Sequence, residues 1–390
     1  MSEKFIPEDA RGLRPGRGEI RRSGEARPRP ARTEHSVRVP EKKEAETSPE
    51  LVALRSAADQ LIARAEDHLR AKFEERGGNE DLNYHRTQHT ADVRRNAREI
   101  LQAMKDGGAD VSERDMIVVE VAAAAHDLVQ EWRERDARFQ PITPERFASD
   151  EETAAKAAEQ RKGPVMRQRF AKFNERASVA MMLEWIQEQE TENEEKTFRT
   201  EDLKKIMEAV KATVPDFDPK FATVQNLVKL RREKDASTGQ MAVAERVKPT
   251  EASPIVRAVA MADLSSAGRN PDRFLAEGDE LFVEENIDMR DIDPSTLTEK
   301  QRNDYKARIV GWSKSQANFA RGRKVMFELE IGGLPTEAKK NLRKMFSFET
   351  SIRRAERQGA ARDKMSFDDL YATVGFVEPR PNATENQRVA

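Results

Sequence analysis

Cysteine is absent from the 390-residue sequence. Its absence excludes disulfide bonds, thiolate metal sites and a cysteine nucleophile. Long apolar runs are also lacking, since no stretch approaches the roughly 20 apolar residues that a transmembrane helix needs. The charged, proline-containing N-terminus has no apolar segment that could serve as a signal peptide. We therefore expect a cytoplasmic protein that does not span a membrane.

An excess of charge of one sign is lacking too. The chain has 69 Lys and Arg residues against 71 Asp and Glu residues, which leaves a formal net charge of −2. No overall field therefore attracts nucleic acid or an anionic membrane surface. Hydrophobic residues make up 37% of the chain and charged residues 36%, so we expect a buried core under a strongly solvated surface.

Composition changes along the chain and predicts its organisation. Residues 1–50 are rich in Arg and Pro, and they cannot bury enough apolar area to offset their ordering entropy, so we expect a disordered tail. This basic tail could bind nucleic acid weakly, although a solvated tail is the commoner meaning of such a pattern. Residues 51–357 are expected to form one helical domain with polar insertions near 132–172 and 233–251. Residues 358–390 are expected to be a C-terminal extension with a frayed end.

Helical periodicity dominates from about Leu51 onward. Apolar residues recur at spacings of three and four, and alternating apolar patterns are lacking, which favours an all-α fold. We expect a compact bundle of many helices. The predicted helices after the first apolar stripe lie near residues 84–104, 113–130, 174–188, 201–213, 219–232, 252–266, 271–286, 298–330 and 335–357.

Histidine is scarce, with five residues in the chain, and three of them occupy informative positions. His85 and His89 lie four residues apart in the predicted helix 84–104. Both imidazoles therefore share one helix face, which continues through apolar residues toward the core. This face places both rings at the end of the helix that lies nearest a cleft.

Two further predicted helices carry polar residues at the end of an apolar stretch. One is apolar nearly all round and reaches His126 and Asp127 through four consecutive alanines. The other ends its apolar stripe at Asp263. A buried carboxylate is costly unless it is paired or binds an ion. Together with His89, these residues predict a metal site.

The residue types indicate which ions suit this site. Two imidazoles and two carboxylates favour a divalent ion such as Mn, Fe, Co, Ni, Zn or Mg over the all-oxygen coordination of Ca. An ion with open coordination positions can polarise a phosphoryl oxygen and activate water. Each residue alone has a plainer interpretation, because a lone His-x-x-x-His pair or a lone His-Asp pair is more often structural. Their joint placement on three apolar helices is what indicates a site.

The segments that carry these residues resemble the HD superfamily of metal-dependent phosphohydrolases, and particularly its branch similar to cyclic-nucleotide phosphodiesterases. The matching segments are 84–93 with Tyr-His, a ligand His and Asp-Val, 125–127 with Ala-His-Asp, 173–178 with Asn-Glu and Ser, and 262–264 with Ala-Asp-Leu. They stand in the order typical of the family. The resemblance extends from about Leu51 to Phe348.

The resemblance implies a helical catalytic domain and assigns roles within it. The implied metal ligands are His89, His126, Asp127 and Asp263. His85 would be the general acid that protonates the leaving oxygen, and Glu175 would lie near the metal and orient a ligand or water. The plainer alternatives are a packed imidazole for His85 and a solvated charge for Glu175. No histidine follows His126, so we expect a mononuclear centre in which Asp127 also takes part in catalysis.

We therefore expect a metal-dependent phosphohydrolase that cleaves a phosphate ester or anhydride of a small phosphorylated substrate, above all a nucleotide, through metal-activated water. Arg86 stands where the phosphodiesterase motif has Asn, and no purine clamp can be identified. Phosphomonoesterase and phosphodiesterase activities both stay open. The alternatives are a non-catalytic regulator that kept the fold and binds a nucleotide or metal, and a helical interaction protein with accidental histidines.

Overall fold

The computed structural model describes residues 48–74, 82–136, 151–160, 162–216, 244–245, 252–290 and 292–376. The predicted disordered tail up to residue 47, the predicted helix 219–232, most of the insertion 233–251 and residues 377–390 lie outside this described part. Within it the fold is all-α, as predicted, and strands form only two short antiparallel pairs. No described helix combines the length and apolarity needed to cross a membrane.

The described elements are as follows in chain order. The helices are α1 (Pro49–Phe73), α2 (Thr87–Asp106), α3 (Glu113–Ala125), α4 (Glu151–Gln160), α5 (Phe173–Glu192), α6 (Thr200–Ala212), α7 (Pro254–Asp263), α8 (Ser266–Arg269), α9 (Pro271–Glu285), α10 (Glu299–Glu330), α11 (Thr336–Met345), α12 (Phe348–Arg362) and α13 (Phe367–Thr373). Single 3-10 turns lie at Ile287–Met289 and Pro294–Thr296. The strands are β1 (Trp132–Asp136), β2 (Val165–Arg169), β3 (Pro215–Asp216) and β4 (Ala244–Glu245), with β1 paired to β2 and β3 to β4.

Helix α3 lies at the centre of the larger core. Every residue from Met116 to Ala125 is buried, and α1, α2, α6 and α7 pack around the helix. A capping box fixes its start, because the Asp115 N–H donates to Ser112 Oγ at 3.1 Å and the Ser112 N–H donates to the Asp115 carboxylate at 2.9 Å. A helix buried on all sides places the residue at its C-terminal end, His126, inside the protein.

A two-stranded antiparallel sheet of β1 and β2, called the hairpin below, lies in the segment that we expected to be a polar insertion, and α4 lies between its strands in the chain. Antiparallel pairing of β1 with β2 places Trp132 opposite Arg169 and Glu134 opposite Arg167. Directly opposed residues of antiparallel strands point to the same side of the sheet. The hairpin thus presents a tryptophan and two arginines on one face, and this face meets the site described below.

A second, smaller hydrophobic core joins the C-terminal half of α9 to α10 and α13. Phe282 of α9, Ile309 of α10 and Leu370 of α13 are all buried in it. The Tyr371 hydroxyl donates to the Met289 carbonyl at 2.7 Å and ties α13 to the turn after α9. The chain beyond residue 357 therefore contributes a packed helix to the structure.

Helices α11 and α12 stand where the sequence predicted one helix. The chain breaks at Phe346 and Ser347, because the Ser347 N–H donates to the Gly268 carbonyl and the rings of Phe346 and Phe348 close on Gly268. A Cβ atom on Gly268 would lie 2.5 Å from Phe346 Cδ1 and 2.7 Å from Phe348 Cζ. This close approach requires glycine in α8 and bends the chain between α11 and α12.

Candidate metal centre

Nitrogen and oxygen donors from four side chains converge where three helices meet. His89 lies in the first turn of α2, His126 and Asp127 follow the last residue of α3, and Asp263 is the last residue of α7. The His89 Nε2 atom is 3.2 Å from Asp263 Oδ1, 3.3 Å from His126 Nε2 and 3.5 Å from Asp127 Oδ2. His126 Nε2 is 3.0 Å from Asp127 Oδ2. The structure thus brings together all four residues that were expected as metal ligands.

The cluster is buried and has the chemistry of a metal site. His89, His126 and Asp127 are at most 2% exposed, and one donor atom from each lies within 4.8 Å of the others. Asp263 lies at the edge of the cluster, with 13% of its side chain exposed. Imidazole nitrogens and carboxylate oxygens suit first-row divalent ions. The His89, His126 and Asp127 group is therefore able to hold a metal ion.

Hydrogen bonds around the cluster determine which atoms face its centre. His126 Nδ1 donates to the Ala123 carbonyl at 2.7 Å, so in the neutral ring the Nε2 lone pair points into the cluster. Asp127 Oδ1 accepts from Gln130 Nε2 at 2.7 Å and from Arg169 Nη2 at 3.1 Å. Because these bonds engage Oδ1, the other oxygen of Asp127, Oδ2, faces the two imidazoles. Hydrogen bonds within the protein therefore orient both ligand atoms, His126 Nε2 and Asp127 Oδ2.

Charges packed into the cluster shift its pKa values. Burial alone would lower the pKa of His126, but the carboxylates of Asp127 and Asp263 raise it to about 9. Burial alone would raise the pKa of both carboxyl groups, but the hydrogen bond from His89 lowers the pKa of Asp263 and the charge of His126 lowers that of Asp127. The cluster thus pairs anions with protonated imidazole. A divalent cation would replace these protons on binding.

His85 lies outside the cluster of four donors and is held by a buried glutamate. The predicted helix 84–104 starts only at Thr87, so His85 lies just before α2. The Glu284 carboxylate accepts the backbone N–H groups of Tyr84 and His85, at 2.8 and 3.2 Å. The same carboxylate is hydrogen bonded to His85 Nδ1. Burial would raise the pKa of Glu284, but His85 and the other donors lower it to about 2, so the group is anionic. The His85 and His89 ring centroids are 6.1 Å apart in a T-shaped arrangement.

The start of α5 supports the loop that follows His126 and Asp127. Asn174 pairs with the backbone N–H and carbonyl of Glu131, at 3.1 Å in each case. Ser178 Oγ accepts the Val129 N–H at 3.0 Å. These side chains replace the hydrogen bonds of a continuing helix, so α3 ends at Ala125 rather than near residue 130, where the sequence predicted its end.

Glu175 has one oxygen at the helix cap and one near the metal centre. Its Oε2 atom accepts the Lys172 N–H and so caps the start of α5. Its Oε1 atom lies 3.5 Å from Arg169 Nη2, the nitrogen that also donates to Asp127. Glu175 therefore reaches the cluster through Arg169, and the catalytic role expected for it stays a prediction.

Three residues of the site were not indicated by the sequence: Gln130, Arg169 and Glu284. Arg169 and Glu284 each stand among other charged residues, and no local spacing separates them from solvated neighbours. Gln130 had a weak signal, since it follows Asp127 by three residues at the end of an apolar helix. All three contribute by orienting or neutralising the residues that the sequence did indicate.

A cavity of about 380 Å³ opens beside His89 and Asp263. Arg269 pairs there with Glu99, and Arg273 with Glu277, so opposite charges offset one another in its wall. The remaining wall is formed mainly by Asp92, Asn96, Ser265, Ser266 and Asn270. The cavity leaves the edge of the cluster open to a small polar molecule.

Comparison of the chain with protein-family models, with curated proteins and with solved structures finds no match. The chemistry of the site therefore has to be inferred from its own residues and their geometry.

Proposed function

We propose that the protein is a metal-dependent phosphohydrolase of the HD type, which cleaves a phosphate ester or anhydride of a small phosphorylated molecule, above all a nucleotide. The observation that carries this proposal is the convergence of four donors beside a further imidazole, His85, that is held separately by Glu284. When bound at His89, His126, Asp127 and Asp263, a divalent ion polarises a phosphoryl oxygen and lowers the pKa of water.

His85 is the residue that we assign to proton transfer at the leaving oxygen. Its Nδ1 atom is engaged by Glu284, so Nε2 is the ring nitrogen available to the substrate. The ring is also fixed from the backbone, because Glu284 accepts the N–H of the same residue. A positioned acid next to the reacting group typically accelerates hydrolysis by about 10²- to 10⁴-fold.

Metal content and turnover of two variants test this proposal. The purified protein is analysed for metals and assayed on nucleotides, phosphomonoesters and phosphodiesters with Mn²⁺, Fe²⁺, Co²⁺, Ni²⁺, Zn²⁺ and Mg²⁺. We expect His126→Ala and Asp127→Ala each to lose most of the bound metal, since each removes a ligand. Turnover should fall by about a hundredfold or more.

His68→Gln is the matched control. His68 lies outside the cluster, and its Nε2 atom bonds the Leu128 carbonyl at 3.1 Å, a contact that a glutamine amide can also make. This variant should keep both metal and activity. Undiminished turnover in His126→Ala or Asp127→Ala contradicts the proposal. A metal-loaded protein that turns over no substrate would instead favour the non-catalytic regulator.

A further inference from the structure

Arg169 brings a cation to the metal centre from the β1–β2 hairpin. Its Nη2 atom donates to Asp127 Oδ1 at 3.1 Å and lies 3.5 Å from Glu175 Oε1. The other oxygen of Asp127 is the one that faces His89 and His126. The guanidinium group is therefore separated from the metal position by the width of one carboxylate.

The same face of the hairpin also lies against His85. Trp132 stands directly opposite Arg169 in the sheet, and its ring centroid is 5.9 Å from that of His85. Arg167, on this face too, lies over the Trp132 ring at 4.6 Å and donates to the Glu284 carbonyl. The hairpin face thus extends from the proposed acid, His85, to the metal ligand that Arg169 contacts.

Arg169, whose side chain is 19% exposed, uses its guanidinium group differently from the buried arginines Arg323 and Arg362. Arg323 binds both carboxylate oxygens of Glu330 through Nη1 and Nη2, at 2.9 and 3.2 Å. Arg362 binds both oxygens of Asp279 in the same way, at 2.6 Å each. Arg169 reaches two carboxylates through one nitrogen, and its buried Nε has no hydrogen-bond partner within the described part of the chain. Buried donors are normally hydrogen bonded, so this N–H is available to a further acceptor.

The charges of the site also favour a cation where a substrate binds. The two ligand carboxylates offset the charge of a divalent ion, and Glu175 adds a further anion. Without Arg169, a phosphoryl group would enter a site with excess negative charge. An arginine keeps its charge at any physiological pH, and its planar fork matches two oxygens of a phosphate group.

We infer that Arg169 binds the phosphate group of the substrate and that its fork selects a terminal phosphate over a phosphodiester. This inference rests on the proposed function. The four ligand residues would hold an ion that polarises one non-bridging oxygen, and the guanidinium fork would bind two others. A terminal phosphate offers three non-bridging oxygens, whereas a phosphodiester offers two. Asp127 and Glu175 hold the guanidinium group in place through Nη2, which lies next to the unused Nε–H.

Calorimetric titration of Mn²⁺-loaded protein with methyl phosphate and dimethyl phosphate tests the inference. These probes differ by one ester bond. We expect the wild type to bind methyl phosphate at least tenfold more tightly than dimethyl phosphate. Arg169→Ala should weaken methyl phosphate binding by about 10- to 100-fold through the loss of charge-assisted hydrogen bonds. Arg169→Lys keeps the charge without the fork. Its affinity for methyl phosphate should therefore lie between those of the wild type and Arg169→Ala.

Arg133→Ala is the matched control on the opposite face of the hairpin. The Arg133 guanidinium lies over the half-exposed ring of Phe170, 5.1 Å from its centroid, and this variant should bind methyl phosphate like the wild type. The Mn²⁺ content of every variant is measured first, because Arg169 also contacts the ligand Asp127. Should Arg169→Ala lose Mn²⁺, the comparison is made with Arg169→Lys.

The outcomes separate this inference from the proposed function. Equal affinity of wild type and Arg169 variants for methyl phosphate, at equal Mn²⁺ content, overturns the inference and leaves the hydrolase proposal intact. Equal binding of both probes by the wild type overturns the selection of a terminal phosphate. Methyl phosphate binding that depends on Arg169, without turnover of any ester, supports the inference and contradicts the hydrolase. A wild type that retains no Mn²⁺ contradicts both.

Discussion

Glu284 and His85 are 199 residues apart in the sequence, yet the carboxylate binds both the ring and the backbone N–H of the histidine. Glu284 has no exposed surface, and a buried carboxylate is tolerated only when donors surround it. Here the donors are the Tyr84 N–H, the His85 N–H and His85 Nδ1. Since all of them belong to two adjacent residues, the carboxylate fixes both the backbone and the ring of His85.

Replacing this carboxylate by an amide of the same size tests its role. In Glu284→Gln we expect kcat to fall by about 10- to 100-fold, because His85 loses its anionic partner. The metal content should not change, because the four ligands are untouched. Steady-state kinetics and metal analysis of the same preparation measure both quantities.

A double variant shows whether Glu284 acts through His85. The variant His85→Gln/Glu284→Gln should be no slower than His85→Gln alone, since the carboxylate has no route to the substrate except through the imidazole. Additive losses, or loss of metal in Glu284→Gln, would mean that Glu284 supports the site in a different way.

At the scale of single residues, the sequence indicated the four proposed metal ligands but not Glu284 or Arg169, and the difference has a physical reason. His89, His126, Asp127 and Asp263 each end an apolar helical stripe, where a polar side chain without a partner is costly. Glu284 and Arg169 lie in locally polar stretches, where a solvated charge is the ordinary outcome. Their partners come from distant parts of the chain, so only the folded arrangement distinguishes them from surface charges.

At the scale of elements, the sequence predicted most helices, while tertiary contacts determined where they end. Helix α3 stops at Ala125 because side chains of α5 take up the backbone groups that would extend it. At the start of α2, the Glu74 carboxylate accepts the N–H of Thr87, the first helical residue, at 2.7 Å. The spacing of apolar residues predicts the buried face of a helix. It does not predict which distant side chain binds the free backbone groups at the helix end.

Gly268 allows a test of the contact that separates α11 from α12. In Gly268→Ala the new Cβ meets the rings of Phe346 and Phe348 at 2.5 and 2.7 Å. We expect a loss of about 1–3 kcal/mol in the free energy of unfolding from overpacking. Chemical denaturation followed by circular dichroism measures this loss.

Gly311→Ala is the control for this substitution. Gly311 lies inside α10, and a Cβ there has no neighbour within 4 Å in the described structure. The change should leave stability equal or raise it by about 0.5–1 kcal/mol, because alanine favours the helix. A loss of stability in both variants would show that the contacts of Gly268 with Phe346 and Phe348 are not the cause of the loss in Gly268→Ala.

At the scale of the whole molecule, a bound ion would join three helices that are distant in the sequence. An ion that binds only the native state stabilises it, by about 2.7 kcal/mol at a hundred times its Kd. We expect Mn²⁺ to raise the midpoint of thermal unfolding by several degrees and a chelator to reverse the change. In His126→Ala the midpoint should not respond to Mn²⁺. A response equal to that of the wild type would place the ion elsewhere.

Helix α9 takes part in both the second core and the site. Phe282 and Val283 pack into that core, and the next residue, Glu284, binds His85. A genetic screen for inactive variants would therefore return substitutions at Leu370 and Tyr371 of α13 together with the metal ligands. Their effect on activity would look like that of a catalytic residue, although both side chains lie in the second core. Metal content and phosphate affinity, rather than activity, would separate the two groups of variants.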